Sequence, residues 1–350
     1  GASNTLETSD FKNMENTQKT KYLKIVENEK VLQKKTENNF SSACESCENE
    51  QDIDSLLKEM QNTFKDINLT NDDQKDACLY RIVKLKLSKE TMEGVGNDGE
   101  YMREMLSNSS KEVQELAGKI FVEQVGSELK ALLVNMETSF FLLKTVFQVI
   151  KYDPEFASYS TVIILLPEKA VTCLETMKGL GSMAKMHPNL KNLVIGISDE
   201  DSKPVAEMDN LSYLFEGVSL SKTIKNLGVL RLLTDPFNMK PETIVKMSSA
   251  IAASKLNGIG FANLSVNSEE DKHLLCSSIA KNPNIGLAGI QFIGVKSSRD
   301  VSAIAKSFSK SKGLRCLLIG ADIEDLDSVV KENEPVLKEG NSKFEVLGVD

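Results

Sequence analysis

The chain of 350 residues has no tryptophan and only two histidines, His187 and His273. Histidine is the side chain most often used for proton transfer near neutral pH, and it is a common ligand of transition metals. With two histidines far apart in the sequence, there is almost no material for a histidine-centred catalytic or metal site. We therefore expect no catalytic residues, no metal and no cofactor, and we expect the protein not to be an enzyme.

Long apolar runs and an excess of basic residues are also missing. No run approaches the roughly 18 residues that a membrane-spanning helix needs, so no span is expected. The 42 lysines and arginines are outnumbered by 51 aspartates and glutamates, which gives a net charge of -9. A basic stripe able to neutralise phosphates is not found, so nucleic acid is not an expected partner.

The six cysteines do not follow the spacing of a disulfide framework, and the N-terminal residues do not resemble a signal peptide. Cys44-x-x-Cys47 has no second pair nearby that would complete a zinc site. Gly94-x-Gly96-x-x-Gly99 has the spacing of a dinucleotide-binding loop, but a helical pattern precedes it where a strand is required. We therefore expect free thiols, an interhelical loop at 94–99, and a cytoplasmic protein.

A repeated apolar pattern runs through the last 220 or so residues. Each copy has the spacing apolar-x-x-apolar-x-apolar, and the central positions are about 30 residues apart. Such a period predicts one supersecondary unit stacked many times. The eight copies are Leu129/Leu132/Val134, Thr161/Ile164/Leu166, Leu190/Leu193/Ile195, Leu227/Leu230/Leu232, Leu256/Ile259/Phe261, Leu287/Ile290/Phe292, Leu314/Leu317/Ile319 and Phe344/Leu347/Val349.

A helical pattern follows most of these runs, for example at 168–186, 241–254 and 269–281. Strand and helix in alternation predict an α/β fold with a parallel sheet and right-handed crossovers. We place this solenoid of seven to eight repeats at 128–350. Before it, we expect a polar, partly disordered or loosely helical segment at 1–50 and an all-α domain at 51–127.

The segments HPNLKNLVI (187–195), SSIAKNPNIGLAGIQF (277–292) and SFSKSKGLRCLLI (307–319) resemble leucine-rich repeats of the ribonuclease-inhibitor-like class. The C-terminal half of tropomodulins is similar in length and repeat style. The resemblance implies strands on a concave face and helices on a convex face. It also implies a non-enzymatic scaffold or adaptor that binds protein partners.

Two alternatives stay open on the same fold. One is a regulator of a small GTPase or of actin filaments, for which a protruding arginine or an ordered amphipathic N-terminal segment would be needed. Arg231 and Arg315 are the arginines that the pattern places on the concave face. The other is a ubiquitin-ligase substrate adaptor, suggested by a faint similarity of 165–168 to the start of an F-box.

The candidate partner-binding residues lie on the predicted strands and on one loop. The loop falls in the longest repeat and is acidic, and loops on a rigid scaffold often carry binding function. The candidates are Lys191, Asn192, Asp199, Glu200, Asp201, Arg231, Gln291 and Arg315.

The residues between the apolar anchors are themselves mostly apolar. A parallel sheet with two apolar faces is usually covered on both sides. We expect the N-terminal helices, above all 51–67 with its apolar stripe, or a helix of a partner to cover the inner face. The residues expected there are Leu133, Ile163, Leu165, Val194, Val229, Leu233, Ile293 and Leu318.

Overall fold

The computed structural model describes residues 9–37, 39–87, 91–93, 100–126, 130–198, 208–231, 239–266 and 268–350. The N-terminal region is helical apart from one three-residue strand. Its Asn49 forms a capping box with Asp52, which fixes the start of the third helix. The elements are α1 (Ser9–Lys35), α2 (Asn39–Glu45), α3 (Glu50–Thr63), α4 (Asn71–Leu87), β1 (Thr91–Glu93), α5 (Glu100–Met105) and α6 (Lys111–Val125).

Strands and helices then alternate to residue 349, with one 3-10 turn at Phe140–Leu142 before the first of these helices. The elements are β2 (Lys130–Asn135), α7 (Leu143–Tyr152), β3 (Thr161–Pro167), α8 (Glu168–Thr172), α9 (Leu174–Met186), β4 (Asn192–Ser198), α10 (Leu211–Leu220), β5 (Asn226–Arg231), α11 (Pro241–Ala253), β6 (Gly258–Leu264), α12 (Glu269–Lys281), β7 (Leu287–Phe292), α13 (Ser298–Ser307), β8 (Cys316–Ile319), α14 (Leu326–Glu339) and β9 (Val346–Val349).

The nine strands form one sheet in sequence order. β1 pairs antiparallel with β2, and every later neighbour pair is parallel. Successive helices pack on one another, which places them in one layer on one face of the sheet. The predicted fold class, an α/β solenoid with a parallel sheet and outer helices, is confirmed.

One layer of helices forces the sheet to curve. A helix is about 10 Å wide, whereas neighbouring strands are only about 4.8 Å apart. Each repeat is therefore wider on its helical side. We call the opposite, narrower side of the sheet the inner face.

The strand register corrects three of the eight predicted repeat units, those at β3, β5 and β7. Leu193 pairs with Val162 and with Leu227, and Ile259 pairs with Ala288. Each of the three units therefore begins two or three residues earlier than the apolar pattern suggested. The central positions are 132, 162, 193, 227, 259, 288, 317 and 347, which are 30, 31, 34, 32, 29, 29 and 30 residues apart.

The corrected register also changes which side chains lie on the inner face. Val229 is buried beneath the helices, and Leu230 takes the inner position instead. Leu233 lies outside the described residues. The inner positions predicted at Leu133, Ile163, Leu165, Val194 and Leu318 agree with the register, and these side chains are half-buried.

The N-terminal helices cap the first repeat. α1 and α4 pack against α7, and α1 also packs against α9. The buried Asp153, at the end of α7, ties them together: its Oδ2 accepts hydrogen bonds from the Tyr22 and Tyr80 hydroxyls at 3.4 and 3.2 Å, and from Lys84 Nζ at 2.9 Å. Burial raises the pKa of Tyr22, so its hydroxyl stays a donor.

Replacing Asp153 with alanine should lower the free energy of unfolding by about 3 kcal/mol, because three donors would lose a shared buried acceptor. Urea titration measures the change. Glu155→Ala is the matched control, since Glu155 lies 3.9 Å from the same lysine but its side chain is 62% exposed. Equal effects of the two substitutions would contradict this account of Asp153.

Candidate functional site

N-terminal helices do cover part of the inner face, as expected, but the segment 51–67 is not the one that covers it. Helix α3, within the predicted 51–67, packs chiefly on its helical neighbours α2 and α4. Instead α5 and α6 lie on the inner face over β7 to β9. The apolar residues at this contact form a cluster separate from the main core: Met102, Leu106, Ala117, Ile120, Leu287, Cys316 and Val346.

Polar contacts hold both ends of α6. Near its start, Ser109 Oγ donates to the Val349 carbonyl at 3.0 Å and the Asn108 N–H donates to Asp350 Oδ1 at 3.0 Å. Near its end, Arg315 donates to Glu123 and to Glu345, each at 2.7 Å. The hydrogen bond from Arg315 lowers the pKa of Glu123. α6 therefore crosses the inner face from the C-terminal end of β9 toward the N-terminal ends of the strands.

Three glycines lie side by side on the part of the inner face beyond α6. Gly228 pairs with Gly260, and Gly260 pairs with Gly289. We call this row the glycine strip. A Cβ built on Gly260 or Gly289 would meet no atom of the described residues within 4 Å, so the described part of the chain leaves the space above these two positions open.

The same cross-strand row continues to Gly348, which shows what such a glycine permits. A Cβ there would lie 2.8 Å from Leu318 Cδ2 and 3.2 Å from Val113 Cγ1 of α6. The missing side chain at Gly348 thus allows a helix to approach the sheet closely. Glycine in a strand weakens the strand and often marks such an approach.

Large apolar side chains border the glycine strip on the side away from α6. Val194 pairs with Gly228, and Ile163 and Leu133 continue the row toward β2. All are half-buried. We define the open groove as the glycine strip with its apolar border, Leu133, Ile163, Leu165, Val194 and Leu230.

A polar ladder crosses the N-terminal ends of the strands beside this groove. Asn192 Nδ2 donates to Thr161 Oγ1 at 2.9 Å, and Asn226 Nδ2 donates to Asn192 Oδ1 at 2.7 Å. The ladder ends on Asn226 Oδ1, which is buried and has no hydrogen-bond partner within the described part of the chain. This oxygen lies over the backbone of β6, 2.5 Å from where a Cβ of Gly258 would be.

Two lysines lie at the rim just outside the ladder. Lys191 and Lys225 occupy equivalent positions before β4 and β5, and the Lys225 N–H donates to the Lys191 carbonyl at 2.8 Å. Lys191 is exposed and Lys225 is half-buried. Neither forms an ion pair with any of the described carboxylates. Among the described residues, the N-terminal rim of the open groove therefore carries two lysines without an ion-pair partner.

The predicted partner-binding residues are only partly brought together. Lys191 and Asn192 lie at the N-terminal end of the open groove, and the exposed Gln291 lies near its C-terminal end. Arg315 is held between two carboxylates at the end of α6. Arg231 ends β5, but its side chain, like Asp199, Glu200 and Asp201, lies outside the described residues.

The prediction from sequence missed the glycine strip and the role of α6. The glycines of the strip are visible in the sequence, but they fall into one cross-strand row only after the register of β5 and β7 is corrected. The sequence does not indicate that Asn226 Oδ1 lacks a hydrogen-bond donor, because this depends on contacts between distant parts of the chain.

Each of the two histidines contacts neighbouring residues of its own repeat or of the next one. His187 Nδ1 accepts hydrogen bonds from the N–H groups of Asn189 and Leu190 at 3.1 and 2.8 Å, which shapes the turn before β4. Burial lowers the pKa of His187 to about 4, so it is neutral at physiological pH. His273 is exposed, and its Nδ1 lies 2.8 Å from Ser307 Oγ.

The thiols and carboxylates do not form a metal-binding group in the described residues. Cys44 and Cys47 are both buried among the N-terminal helices. A hydrogen bond to Cys78 and burial raise the pKa of Cys44, and burial raises the pKa of Cys47 to about 11. Both thiols are therefore protonated at neutral pH and unreactive.

None of the helices in the described ranges is long and apolar enough to cross a membrane. No protein-family model matches the sequence, and no curated protein matches it. The function has to be argued from the geometry of the chain itself.

Among the described lysines and arginines, Lys151 is the most strongly desolvated, at 2% exposure beside the N-terminal cap. Burial lowers its pKa to about 7, and its amine contacts Gln18 and the Tyr152 ring. The unfolded chain therefore binds more protons than the folded chain between about pH 7 and pH 10.4, and stability should rise with pH across that interval. Lys151→Met should raise stability at pH 7 and flatten the rise, as urea titrations across this range would show.

Lys246→Met on the exposed face of α11 is the control for this substitution, and it should leave the pH dependence unchanged. A wild-type protein whose stability is flat from pH 7 to pH 9 would mean that Lys151 is solvated in solution.

Replacing Gly260 or Gly289 with valine should raise the free energy of unfolding by about 0.5–1 kcal/mol, because valine favours strands and its Cβ meets no neighbour. The same change at Gly348 should be destabilising, since its Cβ would press on Leu318 and on Val113 of α6. Thermal unfolding of the three variants measures both signs. A loss of stability at Gly260 comparable to that at Gly348 would show that the strip is filled in solution.

Proposed function

We propose that the protein is a non-enzymatic interaction scaffold of the leucine-rich-repeat-like class and that the open groove is the surface that binds its protein partner. The glycine strip carries this proposal. Three paired glycines weaken the centre of a sheet, and no described atom of the chain lies within 4 Å of a Cβ at Gly260 or Gly289. Surface positions that lower the stability of a protein are commonly kept because they serve binding.

The shape of the groove favours a macromolecule over a small substrate. Small-molecule sites are usually concave pockets that enclose most of the ligand. The open groove is instead a broad surface bounded by half-buried apolar side chains. Two clefts of about 300 and 200 Å³ lie elsewhere, on the N-terminal helices, and neither contains histidine, cysteine or a pair of carboxylates.

The surroundings of Arg315 and of 165–168 argue against the two alternatives, a regulator of a small GTPase or of actin filaments and a ubiquitin-ligase adaptor. An arginine that stabilises a GTPase transition state must reach outward, but Arg315 is bound by Glu123 and Glu345. Residues 165–168 complete β3 and begin α8, as part of a repeat. A cytoplasmic location belongs to the same proposal and is supported by six free cysteines.

Affinity enrichment from cells that produce the protein tests the scaffold. The wild-type chain is compared with Gly260→Arg, which places a long charged side chain in the open groove, and we expect at least one partner to be lost from the variant. Val245→Arg is the matched control, because Val245 is 51% exposed on the helical side. Partners retained equally by all three chains would contradict a binding role for the groove.

A further inference from the structure

We propose that the open groove receives an amphipathic helix of a partner protein, which lies beside α6, antiparallel to it, with an acidic first turn at Lys191 and Lys225. This inference rests on the proposed function and specifies the chemistry of the partner.

The resident helix α6 shows that the inner face accepts a helix. It packs over Gly348 through Val113, while Ala117 and Ile120 belong to the same apolar cluster. These three positions are i, i+4 and i+7 on one helical face. A second helix placed over the glycine strip would meet the same cross-strand row of the sheet, which continues to Val194 and Ile163.

The direction of the second helix follows from Asn226. Its side chain is 8% exposed, and its Oδ1 has no donor among the described residues. A buried acceptor without a donor costs about 1–3 kcal/mol. The first four N–H groups of a helix have no partner within the helix, so a helix that begins at this rim supplies the missing donor.

Gln124, at the end of α6, is the neighbour of Asn226 that a partner helix would also meet. Its backbone carbonyl accepts a hydrogen bond of 3.4 Å from Asn226 Nδ2, and its own Oε1 is also buried without a partner in the described ranges. The side chain lies where a Cβ of Gly286 would be.

The charges at the rim favour the same orientation of the partner helix, with its N-terminus at Lys191 and Lys225. Acidic residues are favoured in the first turn of a helix, where they complement the partial positive charge of the N-terminus. In the proposed complex these carboxylates face Lys191 and Lys225. The N-terminus also lies near the C-terminal end of α6, and antiparallel dipoles attract.

A displayed library of helical peptides of roughly 16 residues, about 24 Å of helix, tests the inference on the full-length chain. We expect the enriched peptides to share an apolar stripe and an acidic first turn. Their affinity should fall at least about tenfold for Gly260→Leu, and by a similar factor for the double variant Lys191→Glu, Lys225→Glu. Lys246→Glu on α11 is the charge control and should change the affinity less than about twofold.

Circular dichroism and thermal unfolding must first show that each variant is folded; Gly260→Leu is suited to this because nothing lies near its Cβ. Three results would overturn the inference: no enrichment, peptides without the acidic first turn, or binding that is indifferent to Gly260→Leu. A partner from cells that is lost with Gly260→Arg, together with any of these results, would leave the proposed scaffold standing and remove only the helical ligand.

Discussion

The difference in width between a helix and a strand is the constraint on which this structure depends. Because one helix layer covers one face, the sheet curves, and the inner face cannot be covered by the helices of its own repeats. Its middle row is nevertheless apolar across β2, β3 and β4, at Leu133, Ile163 and Val194. The hairpin α5–α6 covers the far end of this face, and the apolar border of the glycine strip is left half-buried.

The two ends of the sheet need protection for a related reason, since an edge strand offers unpaired backbone groups to other chains. At the first edge, β1 pairs with β2, and the helices joined at Asp153 pack on the first repeat. At the last edge, Ser109 binds the Val349 carbonyl. The segment that begins the cover of the inner face thus also contacts β9, so the N-terminal region reaches both edges of the sheet and part of the inner face.

The sequence was sufficient to predict the period, the parallel sheet and the helical N-terminal region, because these depend on apolar spacing within each segment. The register at β5 was not predictable in this way. Two sets of apolar residues in this segment have the same spacing: Ile224/Leu227/Val229, which the structure uses, and Leu227/Leu230/Leu232, which the pattern suggested. Spacing alone cannot tell a residue that faces the helices from an apolar residue on the inner face. The choice of 51–67 as the covering segment was wrong for a similar reason: Ile53 and its neighbours form the stronger stripe, whereas α6 uses the small Ala117 to approach the sheet. Pairing between Asn226 and Gln124, 102 residues apart, could not be read from either segment.

The glycine strip and Asn226 are places where local preference and fold disagree, and such places are where function is expected. Three strand glycines cost on the order of 2 kcal/mol relative to good strand formers, and an unsatisfied buried oxygen costs about 1–3 kcal/mol more. Domains are commonly stable by only about 5–15 kcal/mol, so these costs are a large share. A ligand that fills the strip gains buried apolar surface, and one that also donates to Asn226 Oδ1 recovers part of the second cost on binding. A ligand that lacks the donor, or that carries the wrong charge at Lys191 and Lys225, recovers less, and this difference is a physical source of specificity.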